Sequence, residues 1–186
     1  TLPERDFQEW MDAYWAKDVL ELFRLEKRPA FQRLVELVLI RSGGIFDASR
    51  FARDCGVSRT TISNYLAVLE STAVAHVVRP CSEGGSAEIV AAPRVFGFDT
   101  GFVCYHRGWG ELRADDVGVL LEHLFLNEVH AHGGAFGVHY WRDKAHHEVD
   151  FVLLRRGADP IAVECKGSER SFDATGFAAF RRKYPR

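Results

Sequence analysis

Apolar residues recur along the first part of the chain at three- and four-residue intervals. Phe7, Trp10, Met11, Tyr14 and Trp15 fall at helical spacing within residues 4–23, and their packing together accounts for them better than an aromatic binding box does. Phe31, Leu34, Val35, Val38 and Leu39 repeat the pattern in a helix that stops at Gly43 and Gly44. A short helix over 48–55 turns Phe51 and Ala52 inward and ends at Gly56; Ser58 then caps a second helix with Ile62, Leu66 and Leu69 inward. Helix, glycine turn, helix is the helix-turn-helix pattern. Its second helix would show Arg59, Thr60, Thr61, Ser63 and Asn64 to solvent near its N-terminus, where a recognition helix meets phosphates and base edges.

After residue 73 the period shortens. Runs at 74–79 and 87–92 flank a loop holding Gly84 and Gly85, and would make the hairpin of a wing. A third strand-like run, 94–99, leads through Gly97 and Gly101 into Phe102, Val103 and Cys104. The loop at 107–111, with Gly108, Trp109 and Gly110, marks a boundary that divides the chain into domains 1–108 and 109–186. Beyond it, Asp115 or Asp116 caps a helix whose apolar stripe is Val117, Leu120, Leu121, Leu124 and Phe125, with Gly133 at its stop. A strand at 137–142, two short apolar runs around 150–166 separated by a turn at 155–160, and a helix at 172–184 carrying Phe177, Phe180, Arg181, Arg182 and Lys183 complete the order. The fold class this predicts is α+β.

The stretch from His147 to Lys166 concentrates the candidate chemistry. Alternation on the second run puts Ile161, Val163 and Cys165 on one face and Ala162, Glu164 and Lys166 on the other. Two carboxylates brought together repel, so a site holding Asp150 beside Glu164 calls for a hard cation, Mg²⁺ or Mn²⁺. A metal-bound water next to Lys166 would be a nucleophile at neutral pH. Asp150 and Lys166 are both expected at a solvent-accessible site. The competing account is an amphipathic hairpin with solvated charges.

Composition narrows the field without deciding it. With 24 Lys and Arg against 26 Asp and Glu the net charge is −2, so any nucleic-acid contact must use a local patch. Four separated cysteines, Cys55, Cys81, Cys104 and Cys165, lack CxxC spacing and read as reduced thiols of a cytoplasmic protein. No signal peptide is present and no apolar run reaches the ~18 residues of a membrane helix. The histidines His130, His132, His146 and His147 lack the i, i+4 spacing of a zinc protease, and there is no GxSxG stretch. No GxxxxGK(S/T) loop occurs, so no ATP site of that kind is expected here.

Asp150, Glu164 and Lys166 match, in order and spacing, the D…ExK signature of the PD-(D/E)XK nuclease-like superfamily, though no proline stands beside the aspartate. The order helix, strand, strand, strand, helix from 115 onward resembles that core, lacking its last strand, an absence that reads as truncation. More widely, FQEWMDAYWAKDV, FQRLVELVLIRSGGIFDASRFARDCGVSRTTISNYLAVLE, VGVLLEHLFLNEV, YWRDKAHHEVDFVLL and IAVECKGS resemble the C-terminal part of prokaryotic ATPases with a DUF4143 domain. That resemblance implies a winged helix-turn-helix domain followed by a PD-(D/E)XK restriction-endonuclease-like α/β domain, with an ATPase domain of the same full-length chain as partner.

It further implies an acid from the first core helix at the metal, which Glu122 matches best. Glu128, six positions on, lies about 240° around the helix and is held in reserve. Two functions follow. In one, Glu122, Asp150, Glu164 and the Cys165 carbonyl hold Mg²⁺ or Mn²⁺, Lys166 orients the attacking water, and His147 stands nearby as a group toward DNA phosphate. In the other, the domain is a catalytically inactive module that contacts nucleic acid or protein and regulates an ATPase. The oligomeric state is open.

Overall fold

The computed structural model describes Glu9 and residues 27–81, 92–132, 136–168 and 172–185. The helix expected across 4–23 lies outside these residues apart from Glu9, as do the wing strand expected at 87–92 apart from Ala92, the loop glycines Gly84 and Gly85, and the helix stop Gly133. Among the described residues there are six helices and a six-stranded mixed sheet. The helices are α1 (Arg28–Ile40), α2 (Ala48–Cys55), α3 (Arg59–Ser71), α4 (Thr100–Arg107), α5 (Ala114–His132) and α6 (Thr175–Lys183). The strands are β1 (Gly44–Ile45), β2 (Ala75–Pro80), β3 (Arg94–Gly97), β4 (Gly137–Arg142), β5 (Glu148–Leu154) and β6 (Ile161–Val163). No helix among the described residues is long and apolar enough to cross a membrane.

The chain forms two compact units, one made of residues up to Leu37 with Ala48–Val74, the other of Val38–Asp47 with Ala75–Arg186. In the first, α1 buries Phe31, Leu34 and Val35, one side of a 3.6-residue repeat. α2 buries Phe51 and Ala52 and runs into Gly56, whose φ of +65° turns the chain toward α3. Ser58 Oγ accepts the Thr61 N–H at 3.0 Å, satisfying one of the donors a helix start leaves open. Tyr65, with Ile62 and Leu69, is buried in α3, its ring edge-on to Phe31 at 5.2 Å, and Leu66 is half-buried.

The second unit is organised on the sheet, in the order β1-β3-β2-β4-β5-β6. The expected wing is built differently: the antiparallel partner of β2 is β3, and on its other edge β2 runs parallel to β4, at Arg79↔His139 and Pro80↔Tyr140. The boundary expected at 108/109 is therefore crossed by one continuous ladder, because β2 and β3 find their hydrogen-bond partners in the later strands. The run expected at 94–99 ends at Gly97. There a Cβ would stand 2.7 Å from Leu39 Cδ2, which only glycine avoids. Asp99 instead caps α4, accepting from Gly101 N and Phe102 N.

One sheet face carries Val78, Phe96, Tyr140 and Phe151 against Leu126 and Phe125 of α5. The other carries Trp141, Val149 and Val152 against Ala179, Phe180 and Tyr184 near α6. α5 begins one or two residues before the expected caps. Asp116, in its first turn, reaches back to accept Arg113 N at 3.0 Å and pairs with the Arg113 side chain.

Between β4 and β5 the register shifts: Trp141 faces Val149 and His139 faces Val152. Tyr140 thus stands against two residues, Asp150 and Phe151, a β-bulge. A bulge turns consecutive side chains to one face. Phe151 packs on the Phe125 ring of α5, and Asp150 goes to the same side.

Candidate functional site

Asp150 is the corner at which two charge groups meet. It is 7% exposed, contrary to the solvent-accessible position expected for it, because the bulge lays it between β3, α5 and the segment after β6. Its Oδ2 accepts the Cys165 N–H at 2.9 Å and lies 3.8 Å from Lys166 Nζ; its Oδ1 lies 3.7 Å from Arg94 NH1. β6 ends at Val163, so Glu164, Cys165 and Lys166 leave the ladder. The Asp150 carboxylate occupies the Cys165 donor that a longer strand would have used. Lys166 Nζ reaches Glu164 Oε1 at 2.7 Å, and Cys165 packs against the α5-side core, the face expected for it.

The second group centres on Arg94, a residue the sequence did not single out. Its side chain is 8% exposed, among carboxylates from three directions. Nε donates to Gly43 O at 2.8 Å, and NH2 donates to Glu122 Oε2 at 2.5 Å. NH1 has no hydrogen-bond partner, and stands 3.6 Å from Glu148 Oε1 and 3.7 Å from Asp150 Oδ1. Glu148 also faces Arg142, at 3.8 Å. Nothing in RVFGFD marked Arg94, since an arginine opening an apolar strand ordinarily reads as solvated.

Burial drives the titration of these groups. It pushes Glu122 up to about 7, the Arg94 charge opposing that rise and the Asp150 charge adding to it. Burial also raises Glu164, against the pull of its Lys166 hydrogen bond. For Lys166 burial works toward a lower pKa, but the Glu164 hydrogen bond and the surrounding carboxylates outweigh it and the ammonium is held above its ordinary range. The Cys165 thiol is pushed up to about 12, first by burial and then by Asp150, so it is no nucleophile.

The other expected residues lie apart from this cluster. Glu128 is exposed and pairs with His132 at 3.3 Å. His147 is held by Asp143, Nδ1 to Oδ2 at 2.8 Å. On α3, Arg59, Thr60 and Asn64 are exposed, whereas the Thr61 hydroxyl is bonded to Ser58 Oγ at 2.8 Å and Ser63 Oγ donates to Arg59 O at 3.1 Å. Those two hydroxyls serve their own helix. All four cysteines are free thiols.

Beside Glu122, α5 carries a second buried polar residue, His123. Its Nδ1 lies 2.7 Å from Val119 O and so carries the proton; Nε2 then accepts from Ser42 Oγ at 2.7 Å. Ser42 Oγ in turn accepts the Gly97 N–H at 2.6 Å. Burial lowers His123 to about 4, and the ring is neutral.

A divalent cation needs several oxygen donors converging on one point. Among the described residues no group of three His, Cys, Asp or Glu side chains converges in that way. Glu122 is bonded to Arg94, and Glu164 is turned to Lys166. As arranged, the carboxylates do not fit a metal ion: a guanidinium arm stands where they come nearest to one another. Glu164 and Lys166, with Ser168 and Phe172, line an open cavity of about 420 Å³.

A family model described as domain of unknown function DUF8612 matches residues 2–113, and one described as domain of unknown function DUF4143 matches residues 117–186. The DUF4143 likeness thus covers the later part of the chain rather than nearly all of it. No curated protein and no solved structure matches the chain.

Proposed function

The chain belongs to the family of unknown function DUF8612, with a DUF4143 region following, and since neither description carries an activity we propose one from its own geometry: a nucleic-acid-contacting module on a nuclease-like core whose acid–lysine site is an internal ion-pair cluster, not a hydrolytic centre. One observation carries this reading. Arg94, buried and hydrogen-bonded to Glu122, puts a permanent positive charge among the carboxylates, so their repulsion is relieved without a metal ion. The order α5, β4, β5, β6, α6 is the one the superfamily resemblance implies, and α2, Gly56 and α3 supply the helix-turn-helix. On this reading Arg59, Thr60 and Asn64 at the start of α3 meet the DNA backbone, helped by the exposed Arg50 and Arg53 of α2. The likeness to ATPase C-terminal regions would make such a module the part that couples a nucleotide-hydrolysing domain of the same chain to nucleic acid.

A second reading, a Mg²⁺- or Mn²⁺-dependent endonuclease, is favoured by the meeting of Asp150, Glu164 and Lys166 beside an open cavity. It requires Glu122 and Asp150 to be released from Arg94.

Two measurements decide between them. Calorimetric titration with Mn²⁺ should show no saturable binding, and supercoiled plasmid incubated with the chain and Mn²⁺ should stay intact. Binding to a fluorescent DNA duplex at low salt should weaken several-fold in Arg59→Ala, with a shallower salt dependence. Plasmid nicking that Asp150→Asn abolishes would put the endonuclease in front, and absence of duplex binding at low salt would remove the nucleic-acid role.

A further inference from the structure

We infer that Glu122, Glu148 and Asp150 form a closed divalent-cation site in which Arg94 NH1 is the resident cation. This rests on the metal-free reading above and adds its cause and a different ligand set, with Glu148 as a member and Glu164 outside it.

The geometry around NH1 is unusual for an arginine. Nε and NH2 are fixed by ordinary hydrogen bonds to Gly43 O and Glu122. NH1, on a residue 7% exposed, makes none, yet lies nearly equidistant from one oxygen of Glu148 and one of Asp150, at 3.6 and 3.7 Å. A buried donor left without a partner is costly, and a fork of this kind usually turns to bond a carboxylate two-handed. Here the fork is anchored elsewhere, and NH1 serves as a charge rather than as a donor. Three carboxylates on β5 and α5 point at it, and only Glu148 has a further cation near, Arg142 at 3.8 Å. Removing the charge while keeping the stem would leave three acids facing a vacated, water-sized space with no counter-charge at its centre. A hard divalent ion with oxygen ligands is the species that fills such a space.

The probe is Mn²⁺, titrated by calorimetry into the 186-residue chain and its variants. The wild type should show no saturable binding into the millimolar range. Arg94→Met should bind with an affinity at least about tenfold above any wild-type signal, corresponding to at least about 1.4 kcal/mol. Arg94→Lys, which keeps a charge, should not gain it. Arg94→Met with Glu148→Gln should lose the gain, whereas Arg94→Met with Glu164→Gln should keep it.

Because Arg94→Met leaves uncompensated charge in the interior, its circular dichroism is followed with and without Mn²⁺. Recovery of the folded spectrum on adding the ion supports the inference as binding does. An Arg94→Met chain that neither binds Mn²⁺ when folded nor is folded by it overturns the inference and leaves the metal-free reading standing. Equal gain in Arg94→Lys, or dependence on Glu164 in place of Glu148, also overturns it. Saturable Mn²⁺ binding by the wild type, abolished in Asp150→Asn, defeats the metal-free reading itself.

Discussion

Glu122 and His123 are neighbours on α5 whose titrations are displaced in opposite directions, and stability should carry the signature of both. His123 is lowered from 6.5 to about 4 by burial. Below pH 6.5 the unfolded chain takes up a proton that the native ring refuses, so stability is lost as pH falls from 6.5 toward 4. Glu122 is raised from 4.5 to about 7, also mainly by burial. Here the native state holds a proton that the unfolded chain releases, so stability is lost as pH rises from 4.5 toward 7. Each unit of displacement corresponds to about 1.4 kcal/mol, so each residue contributes roughly 3 kcal/mol over its full range. In the shared window from 4.5 to 6.5 the two slopes nearly cancel. Glu122→Gln removes the falling component: relative to wild type it should gain about 2–3 kcal/mol between pH 4.5 and 6.5. His123→Gln should lose about as much over the same interval. The assay is urea unfolding at pH 4.5, 5.5, 6.5 and 7.5, with each variant read as a difference from wild type so that all other titrations drop out. If the Glu122→Gln difference stays constant across that range, Glu122 titrates normally and the picture of a desolvated carboxyl beside Arg94 is wrong.

Other outcomes follow from single contacts. Gly176→Ala places a Cβ 2.1 Å from Glu148 O, backbone against backbone, so α6 must shift; thermal melts should show a loss of about 1–3 kcal/mol or more. Ser58→Ala deletes the α3 cap and should cost about 1 kcal/mol, with less helical signal in circular dichroism and little change in Mn²⁺ response. Asp150→Asn leaves Arg94 NH1 and Lys166 short of a counter-charge and should lower stability by roughly 1.5–3 kcal/mol. Lys166→Ala, whose ion pairs are a third exposed, should stay within about 1 kcal/mol; a larger loss would make the lysine structural.

The linear pattern determined the elements: three- and four-residue repeats placed α1, α2, α3, α5 and α6, the glycine at 56 and the serine at 58 set the turn between α2 and α3, and short β-branched runs gave β2, β4, β5 and β6. It also chose Asp150, Glu164 and Lys166, which the fold does bring together, and preferred Glu122 to Glu128 as the α5 acid beside them. These are local properties, fixed by how one residue's backbone and apolar side face its near neighbours. What only tertiary structure decided concerns pairing across distance. That β2 joins β4 in parallel, so that the early strands extend the later sheet, depends on hydrogen bonds between segments some sixty residues apart. The bulge that turns Asp150 inward with Phe151 is a mismatch of count between two strands, invisible in either alone. The place of Arg94 follows from both, because once β3 is carried alongside β2 and α5 covers that face, an arginine opening a strand has only Glu122, Glu148 and Asp150 within reach of its charge.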